Sequence, residues 1–358
     1  MSSVTLTPEQ QVAADGAVDF LMSRAAGFRS IGGYAGTGKT TVISDVCRRT
    51  GEAGLATAVC AFTGKAASVL RKKGVSAGTI HSLIYVPTPD PRGRVSFVLK
   101  ADIPYDCIIV DEASMVSAQL WSDLLSFRKP ILLVGDIGQL EPIGDNPKLL
   151  AKPTWRLEQV HRQAESSPII RFATAARRGS RLPRSCPPEL LVGRRGDFID
   201  AMLDVDQCVC GYNATRHRFN SAFRDHYGYR NVLNVGDKVI CLRNNRKLGL
   251  FNGMMGRITG VGDVYRDMVV ASVLGDDGVE RSRLPMALCA FGGEVPDTPQ
   301  PGMTYWDYGY VVTCHKAQGS EWDSVAVLEE ISSSWDARRW VYTAATRASE
   351  RLVYCHGG

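Results

Sequence analysis

Residues 33–40 read Gly-Tyr-Ala-Gly-Thr-Gly-Lys-Thr, with glycines at 33, 36 and 38, a lysine at 39 and a hydroxyl residue at 40. Glycines in this spacing let a backbone loop close around an anion with its N–H groups pointing inward. The chemistry is phosphate binding. Lys39 would reach the β and γ phosphates of a nucleoside triphosphate, and the Thr40 hydroxyl would ligate Mg²⁺. Gly33, Gly36, Thr37, Gly38 and Thr41 complete the set expected to touch ATP. An apolar-glycine strand precedes the loop and a helical run follows, whose N-terminus adds a favourable dipole. A chance glycine-rich turn would lack those flanks.

Further along, Cys107–Glu112 (CIIVDE) ends an apolar run in two acids. Beside a phosphate loop they fit a metal ligand, Asp111, and a base for the attacking water, Glu112. Residues 134–140 (VGDIGQL) end another apolar run. Gln139 could meet the γ-phosphate or the water, although a turn stabilised by Asp136 explains the same residues. Gln10 has two readings. Its amide could read an adenine edge, yet Thr7-Pro8-Glu9-Gln10 is also a helix capping box with proline at the first position. Both hold only if the side chain turns away from the cap. Charge building on a transferred phosphoryl group needs cations, worth about 10³–10⁵ in rate. Arg162 and Arg347 are available, but chemistry alone does not single them out from the other arginines.

These groups need elements to hold them. Residues 57–62, 107–112 and 131–136 are short apolar runs and read as buried parallel strands, with helical runs such as 64–73 and 117–127 between them. That alternation is the α/β class. Residues 86–100 interrupt it with three prolines and an alternating run, and predict a protruding hairpin. Residues 171–195 are arginine-rich and read as a solubilising face in preference to a phosphate-binding one. Between about 230 and 300, short strand patterns separated by Gly and Asp turns predict a small β-barrel. The α/β texture returns after 305.

In this order the motifs make the chain resemble a superfamily 1 DNA helicase of the 5′-to-3′ branch, close to the RecD-like and phage Dda-like proteins. Gln10 is similar to the Q motif and GYAGTGKTT to the first helicase motif. AFTGKAA (61–67) and GTIHSLI (78–84) resemble two DNA-contacting motifs, and IIVDEASM (108–115) and LLVGDIGQLEPIG (132–144) follow. LEQVHRQ (157–163), YGYVVTCHKAQGSEWDSV (308–325) and WVYTAATRASERL (340–352) complete the series. The resemblance implies two RecA-like P-loop NTPase domains, 1A at 1–85 and 104–150 and 2A at 151–230 and 303–358. A hairpin 1B at 86–103 would be the strand-splitting pin, and an SH3-like barrel 2B would lie at 231–302. It implies ATP and Mg²⁺ in the cleft between the RecA-like domains, with Gln318 and Gly319 also near the nucleotide and Arg162 and Arg347 as arginine fingers. Thr63, Lys65, Thr79, His81, Phe97, Thr313, His315 and Lys316 would face DNA. Glu141, where a proline is usual, and Phe62 depart from the pattern without removing a catalytic group.

Composition narrows the field. The chain has 358 residues, Lys+Arg 42 against Asp+Glu 37, and 44% hydrophobic residues, which excludes global disorder. A net charge of +5 permits nucleic-acid binding without demanding it. No apolar run is long enough for a membrane span, and the first residues lack the form of a secretory signal. Ten cysteines without metal or redox spacing point to a reducing compartment. The expectation is an ATP-dependent 5′-to-3′ DNA helicase, monomeric, in the cytoplasm of a bacterial or phage-infected cell. Its partners would be single-stranded DNA and junctions, with a single-strand-binding or replisome protein as a further candidate. A translocase that displaces bound proteins, and an RNA helicase, are the alternatives.

Overall fold

The run Cys107–Asp111 is apolar until its last residue, a composition that suits a strand covered on both faces. The computed structural model, which describes residues 5–89, 95–141, 147–160, 166–245, 248–293, 295–296 and 300–357, folds it so. The strands of the first half are β1 (Gly27–Gly33), β2 (Thr57–Ala61), β3 (Gly78–Thr79), β4 (Tyr85–Pro89), β5 (Val95–Leu99), β6 (Cys107–Asp111), β7 (Pro130–Asp136) and β8 (Trp155–Leu157). Six of them make one parallel sheet in the order β3-β2-β6-β7-β1-β8. Alternation along β6 and β7 sends Ile109, Leu132 and Val134 into one core and Ile108, Val110, Ile131 and Leu133 into the other. The first core is closed by helices Pro8–Met22 and Lys39–Glu52, the second by helices Ile80–Ile84 and Ala118–Ser126. The expected hairpin is present as β4 paired antiparallel with β5, Tyr85 opposite Leu99 and Pro87 opposite Phe97.

The chain divides into two compact units, Met1–Pro183 with Asp336–Thr346, and Arg184–Trp335 with Arg347–Gly358. In the first, helix Ala337–Ala345 packs on helix Pro168–Arg178. The second contains β9 (Leu190–Arg194), β10 (Gln207–Cys210), β11 (Lys238–Cys241), β12 (Met255–Tyr265), β13 (Met268–Gly275), β14 (Glu280–Ala287), β15 (Trp306–Tyr308), β16 (Val311–Thr313), β17 (Trp322–Leu328) and β18 (Ala348–His356). Five of these form a second parallel sheet, β16-β10-β17-β18-β9. The other five form an antiparallel sheet, β14-β13-β12-β11-β15, where short strands were expected. A bridge from Met286 to Thr304 joins the end of β14 to the residues entering β15, so the sheet curls back on itself. Among the described residues no helix is long and apolar enough to cross a membrane.

Buried polar groups lock the second unit. The Asn220 side chain, on helix Asn213–His226, donates to the Val311 carbonyl (3.1 Å) and accepts from its N–H (2.9 Å). Asp237 is fully buried and accepts from Arg224 Nε (2.9 Å), Asn234 N (2.8 Å) and Tyr310 Oη (3.0 Å). A carboxylate so enclosed survives only because each oxygen is hydrogen-bonded. Asp237→Ala would strand the buried Arg224 guanidinium, and a loss of about 3–5 kcal/mol in urea unfolding is the expected result. A loss below about 1 kcal/mol would mean that water reaches the arginine freely.

Candidate active site

Parallel strands end at one edge of their sheet, and β6, β7 and β1 are neighbours there. Gly33 pairs in register with Asp136, the last residues of β1 and β7, and Asp111 closes β6. Ligand sites of α/β sheets lie at this carboxyl edge. After Gly33 the chain turns through Gly36 and Gly38, both at φ 78°, a left-handed conformation costly for residues with a side chain. A Cβ on Gly33 would come within 2.6 Å of Thr37 Oγ1. Gly38 caps helix Lys39–Glu52 without a side-chain hydrogen bond, so no side chain competes for the first-turn N–H groups that include Thr40 and Thr41. Thr37 is buried and donates to the Tyr34 carbonyl (2.8 Å). Lys39 Nζ donates to the carbonyls of Gly33 (3.1 Å) and Tyr34 (2.9 Å) and lies 3.7 Å from Asp136 Oδ2. The phosphate-seeking cation is held inside the loop it serves.

Burial raises the Asp111 carboxyl above the ordinary carboxylate range, against the Glu112 backbone N–H and the charges of Lys39 and Lys73. A cation beside it would favour the ionised form. Mg²⁺ takes one or two carboxylates plus hydroxyl, water and phosphate oxygens, and Thr40 and Asp111 are donors of that kind. No group of three or more His, Cys, Asp or Glu converges among the described residues. Glu112 stands at φ 52°, ψ 41°, a strained backbone for a residue with a side chain.

Asp136 is 2% exposed and gathers several partners. It accepts from Gly138 N (2.8 Å), Gln139 Nε2 (3.4 Å) and Tyr342 Oη (2.9 Å). Tyr342 in turn accepts from Ala35 N (2.7 Å), so one phenol joins the phosphate loop to the end of β7. The turn expected at Asp136 is therefore real, and buried Gln139 hangs from it. Gln10 stays in its capping box with Thr7, while its Nε2 donates to the Thr37 carbonyl (2.8 Å). In this conformation the amide braces the phosphate loop, and an adenine contact would require it to leave the cap.

The nucleic-acid-facing candidates share one local design. Thr63, Thr79 and Thr313 follow or end parallel strands β2, β3 and β16, and each is a helix N-cap. Their hydroxyls accept from Ala66 N (3.1 Å), Ser82 N (3.2 Å) and Lys316 N (3.4 Å). Aromatic rings run from this edge into the hairpin. Phe62 lies 6.3 Å from His81, His81 5.7 Å from Tyr85, and Tyr85 6.3 Å from Phe97, which is 43% exposed. In the second unit, burial lowers the pKa of His315, keeping it neutral near pH 7, and Trp335 packs edge-on 5.9 Å away. Lys316 is exposed. Buried Gln318, Gly319 at φ 69° and buried Arg347 converge there, with Arg347 Nη1 donating to the Ser320 carbonyl (2.8 Å). Arg162 and the side chain of Lys65 lie outside the described residues.

Sequence reasoning missed Tyr342 and Arg177. Arg177 stacks over Tyr34 of the phosphate loop, 3.4 Å from the ring centroid, so the arginine-rich stretch is more than a solubilising face. The signal for Tyr342 was a tyrosine buried within the apolar helix that precedes Arg347. Glu141, the departure from the family pattern, pairs with Arg339 of that helix (3.2 Å).

Comparison with known proteins fits this geometry. The AAA domain family matches residues 5–184, and the UvrD-like helicase C-terminal domain matches 308–354. The ATP-dependent RecD2 DNA helicase of Deinococcus radiodurans is 31% identical over 93% of this chain and 47% of its own length. The chain belongs to the AAA domain family. The chain spans about half the length of the RecD2 relative. The RecBCD subunit RecD of Mycolicibacterium smegmatis is 27% identical over 91% of this chain and 68% of its own. The fold is that of Pif1 helicase from Bacteroides, solved with ADP-AlF3 and ssDNA, at a TM-score of 0.59 and 19% identity over 98% of this chain and 92% of the other.

Tyr342→Phe removes the hydroxyl that joins Ala35 to Asp136. The expected effect is a nucleotide affinity about three- to tenfold weaker, measured with a fluorescent ATP analogue, the range set by the loss of about one hydrogen bond. Unchanged affinity would mean that the bridge does not order the phosphate loop.

Proposed function

We propose that this chain is an ATP-dependent DNA helicase that translocates 5′ to 3′ on single-stranded DNA and unwinds duplex ahead of it. The observation that carries the reading is the alignment of Gly33, Asp111 and Asp136 at the ends of three adjacent strands. Phosphate-binding backbone, metal-binding carboxylate and the anchor of Gln139 then work within one rigid sheet edge. In this reading the loop N–H groups and Lys39 hold the triphosphate, Lys39 exchanging the carbonyls of Gly33 and Tyr34 for phosphate oxygens. Thr40 and Asp111 hold Mg²⁺, which when bound neutralises phosphate charge. Glu112 accepts a proton from the attacking water and Gln139 orients it. Arg162 and Arg347 supply cations for the charge that develops on the transferred group. Gln318 and Gly319 contribute nucleotide contacts.

Thr63, Lys65, Thr79 and His81 on the first unit, and Thr313, His315 and Lys316 on the second, are the proposed grips on DNA phosphate and base. Alternation between grips, driven by ATP turnover, moves the chain. The hairpin β4–β5 is the proposed pin of a 1B element. The brace beneath Phe97 supports this assignment: Tyr85, 6.3 Å from the Phe97 ring, donates its hydroxyl to Asp123. The curled antiparallel sheet is the proposed 2B, and the chain is proposed to work as a monomer in the cytoplasm.

Strand displacement on partial duplexes with a 5′ or a 3′ tail tests the whole. Only the 5′-tailed substrate should open, and Lys39→Ala should abolish it. Opening from the 3′ tail would overturn the polarity and the pin with it. Glu112→Gln should bind ATP normally and turn it over about 10²–10⁴ times more slowly, as expected for loss of a general base. Phe97→Ala should keep DNA-stimulated ATPase and lose unwinding; full unwinding by that variant would remove Phe97 from the pin.

A further inference from the structure

The carboxyl edge of the second parallel sheet carries more than Thr313 and His315. At its opposite end, where β18 and β9 finish, an open cavity of about 1050 Å³ is lined by Arg194, Arg195, Arg218, Tyr212 and the acids Glu329 and Glu330. The acids are already engaged. Glu330 accepts from Gly211 N (3.0 Å), Tyr212 N (3.2 Å) and Thr215 Oγ1 (2.6 Å), which holds it at the entry to helix Asn213–His226. Glu329 accepts from Gly357 N (3.1 Å) and faces His356 Nδ1 at 3.3 Å. The arginines are different. Arg195 and Arg218 both lie over the Phe219 ring, 5.1 and 5.2 Å from its centroid, and among the described residues neither forms an ion pair. Two cations over one aromatic ring, neither in an ion pair among the described residues, make a basic patch that suits an anion.

Aromatic rings link this cavity to the family's strand-facing residues. His315 packs against Trp335 at 5.9 Å, and Trp335 against the exposed Tyr212 at 5.1 Å and 35°. The three rings follow β16, β17 and β10, neighbouring strands on one side of the sheet, and Arg195 follows β9 at the far edge, about 19 Å from β16 at ordinary strand spacing. A linear polyanion with stackable faces matches such a surface. A free nucleotide does not, because the Glu330 carboxylate already occupies the N–H groups of Gly211 and Tyr212 just ahead of the long helix that starts here.

We propose that the cavity formed by Arg195, Arg218 and Tyr212 is a binding site for single-stranded nucleic acid. It extends the track of the second unit beyond His315, the arginines holding phosphates and Tyr212 with Trp335 stacking a base. The inference rests on the helicase reading above, and the test separates the two. Anisotropy of a labelled oligothymidylate, titrated at rising salt, gives the number of phosphates held. Arg195→Gln with Arg218→Gln should lower the slope of log affinity against log salt by about 1.4, at about 0.7 per phosphate on a single strand, while ATPase without DNA stays unchanged. Arg218→Lys should restore part of the slope. Tyr212→Ala should weaken binding about fivefold or more through lost stacking. An oligonucleotide carrying 5-iododeoxyuridine should photocross-link to Tyr212 or Trp335. Wild-type binding with DNA-stimulated ATPase, but an unchanged slope in the double variant or no cross-link at either aromatic, would overturn the site and leave the helicase reading standing. Failure of the wild type to bind the oligonucleotide would overturn both.

Discussion

The buried carboxylate of Asp136 is the constraint on which the nucleotide site depends. At 2% exposure it needs donors on every side, and the chain supplies them from the turn that follows, from Gln139 and from Tyr342, with Lys39 close by. The donors come from three parts of the site: the turn of Gly138 and Gln139, Tyr342, and Lys39 of the phosphate loop. Satisfying one acid therefore ties the phosphate loop, the end of β7 and helix Ala337–Ala345 into a single network. Such networks act cooperatively, and a shift in one member is felt by the others. A change at the phosphate end of Lys39 has a physical route to the helix just before Arg347.

The threonines proposed to grip DNA show a second economy. Thr63, Thr79 and Thr313 each begin a helix at the end of a parallel strand, and each hydroxyl accepts from an N–H of the first turn. A side chain fixed by such a cap has a defined rotamer, so little ordering entropy remains to be lost when a phosphate arrives. The same arrangement recurs in both parallel sheets because the carboxyl edge is where strands hand over to helices. Function sits there because the fold exposes backbone N–H groups and short polar side chains at that edge.

Legibility in the sequence followed the range of the interactions. The strands at 57–61, 107–111 and 130–136 were readable because a doubly covered parallel strand has to be apolar throughout. The phosphate loop was readable because its chemistry lies within a few consecutive residues. Tyr342 was not, since its two partners, Ala35 and Asp136, lie more than two hundred residues away. Gln10 was readable only as a choice, and the structure uses one end of its amide in the cap and the other on Thr37. The arginine-rich stretch was misread as one face because composition does not reveal that it divides between units, Arg177 stacking on Tyr34 and Arg195 on Phe219.

The hairpin poses a mechanical question that its packing answers. A two-stranded ribbon is marginal alone, and the pin proposed for it would have to resist a load. Here the load path is aromatic. Phe97 leans on Tyr85, and Tyr85 on His81, whose helix belongs to the core beneath β2 and β6. Tyr85 also donates to Asp123 on helix Ala118–Ser126, which fastens the base of the hairpin to a second element. Burial, then the hydrogen bond to Asp123, pushes the Tyr85 phenol up to about 12, so it remains a donor throughout the neutral range. The sign is that of a raised acid: the bond's contribution is complete below the ordinary phenol value near 10 and fades only as pH rises through about 12. A brace insensitive to pH and made of rigid rings suits an element that transmits force rather than one that switches.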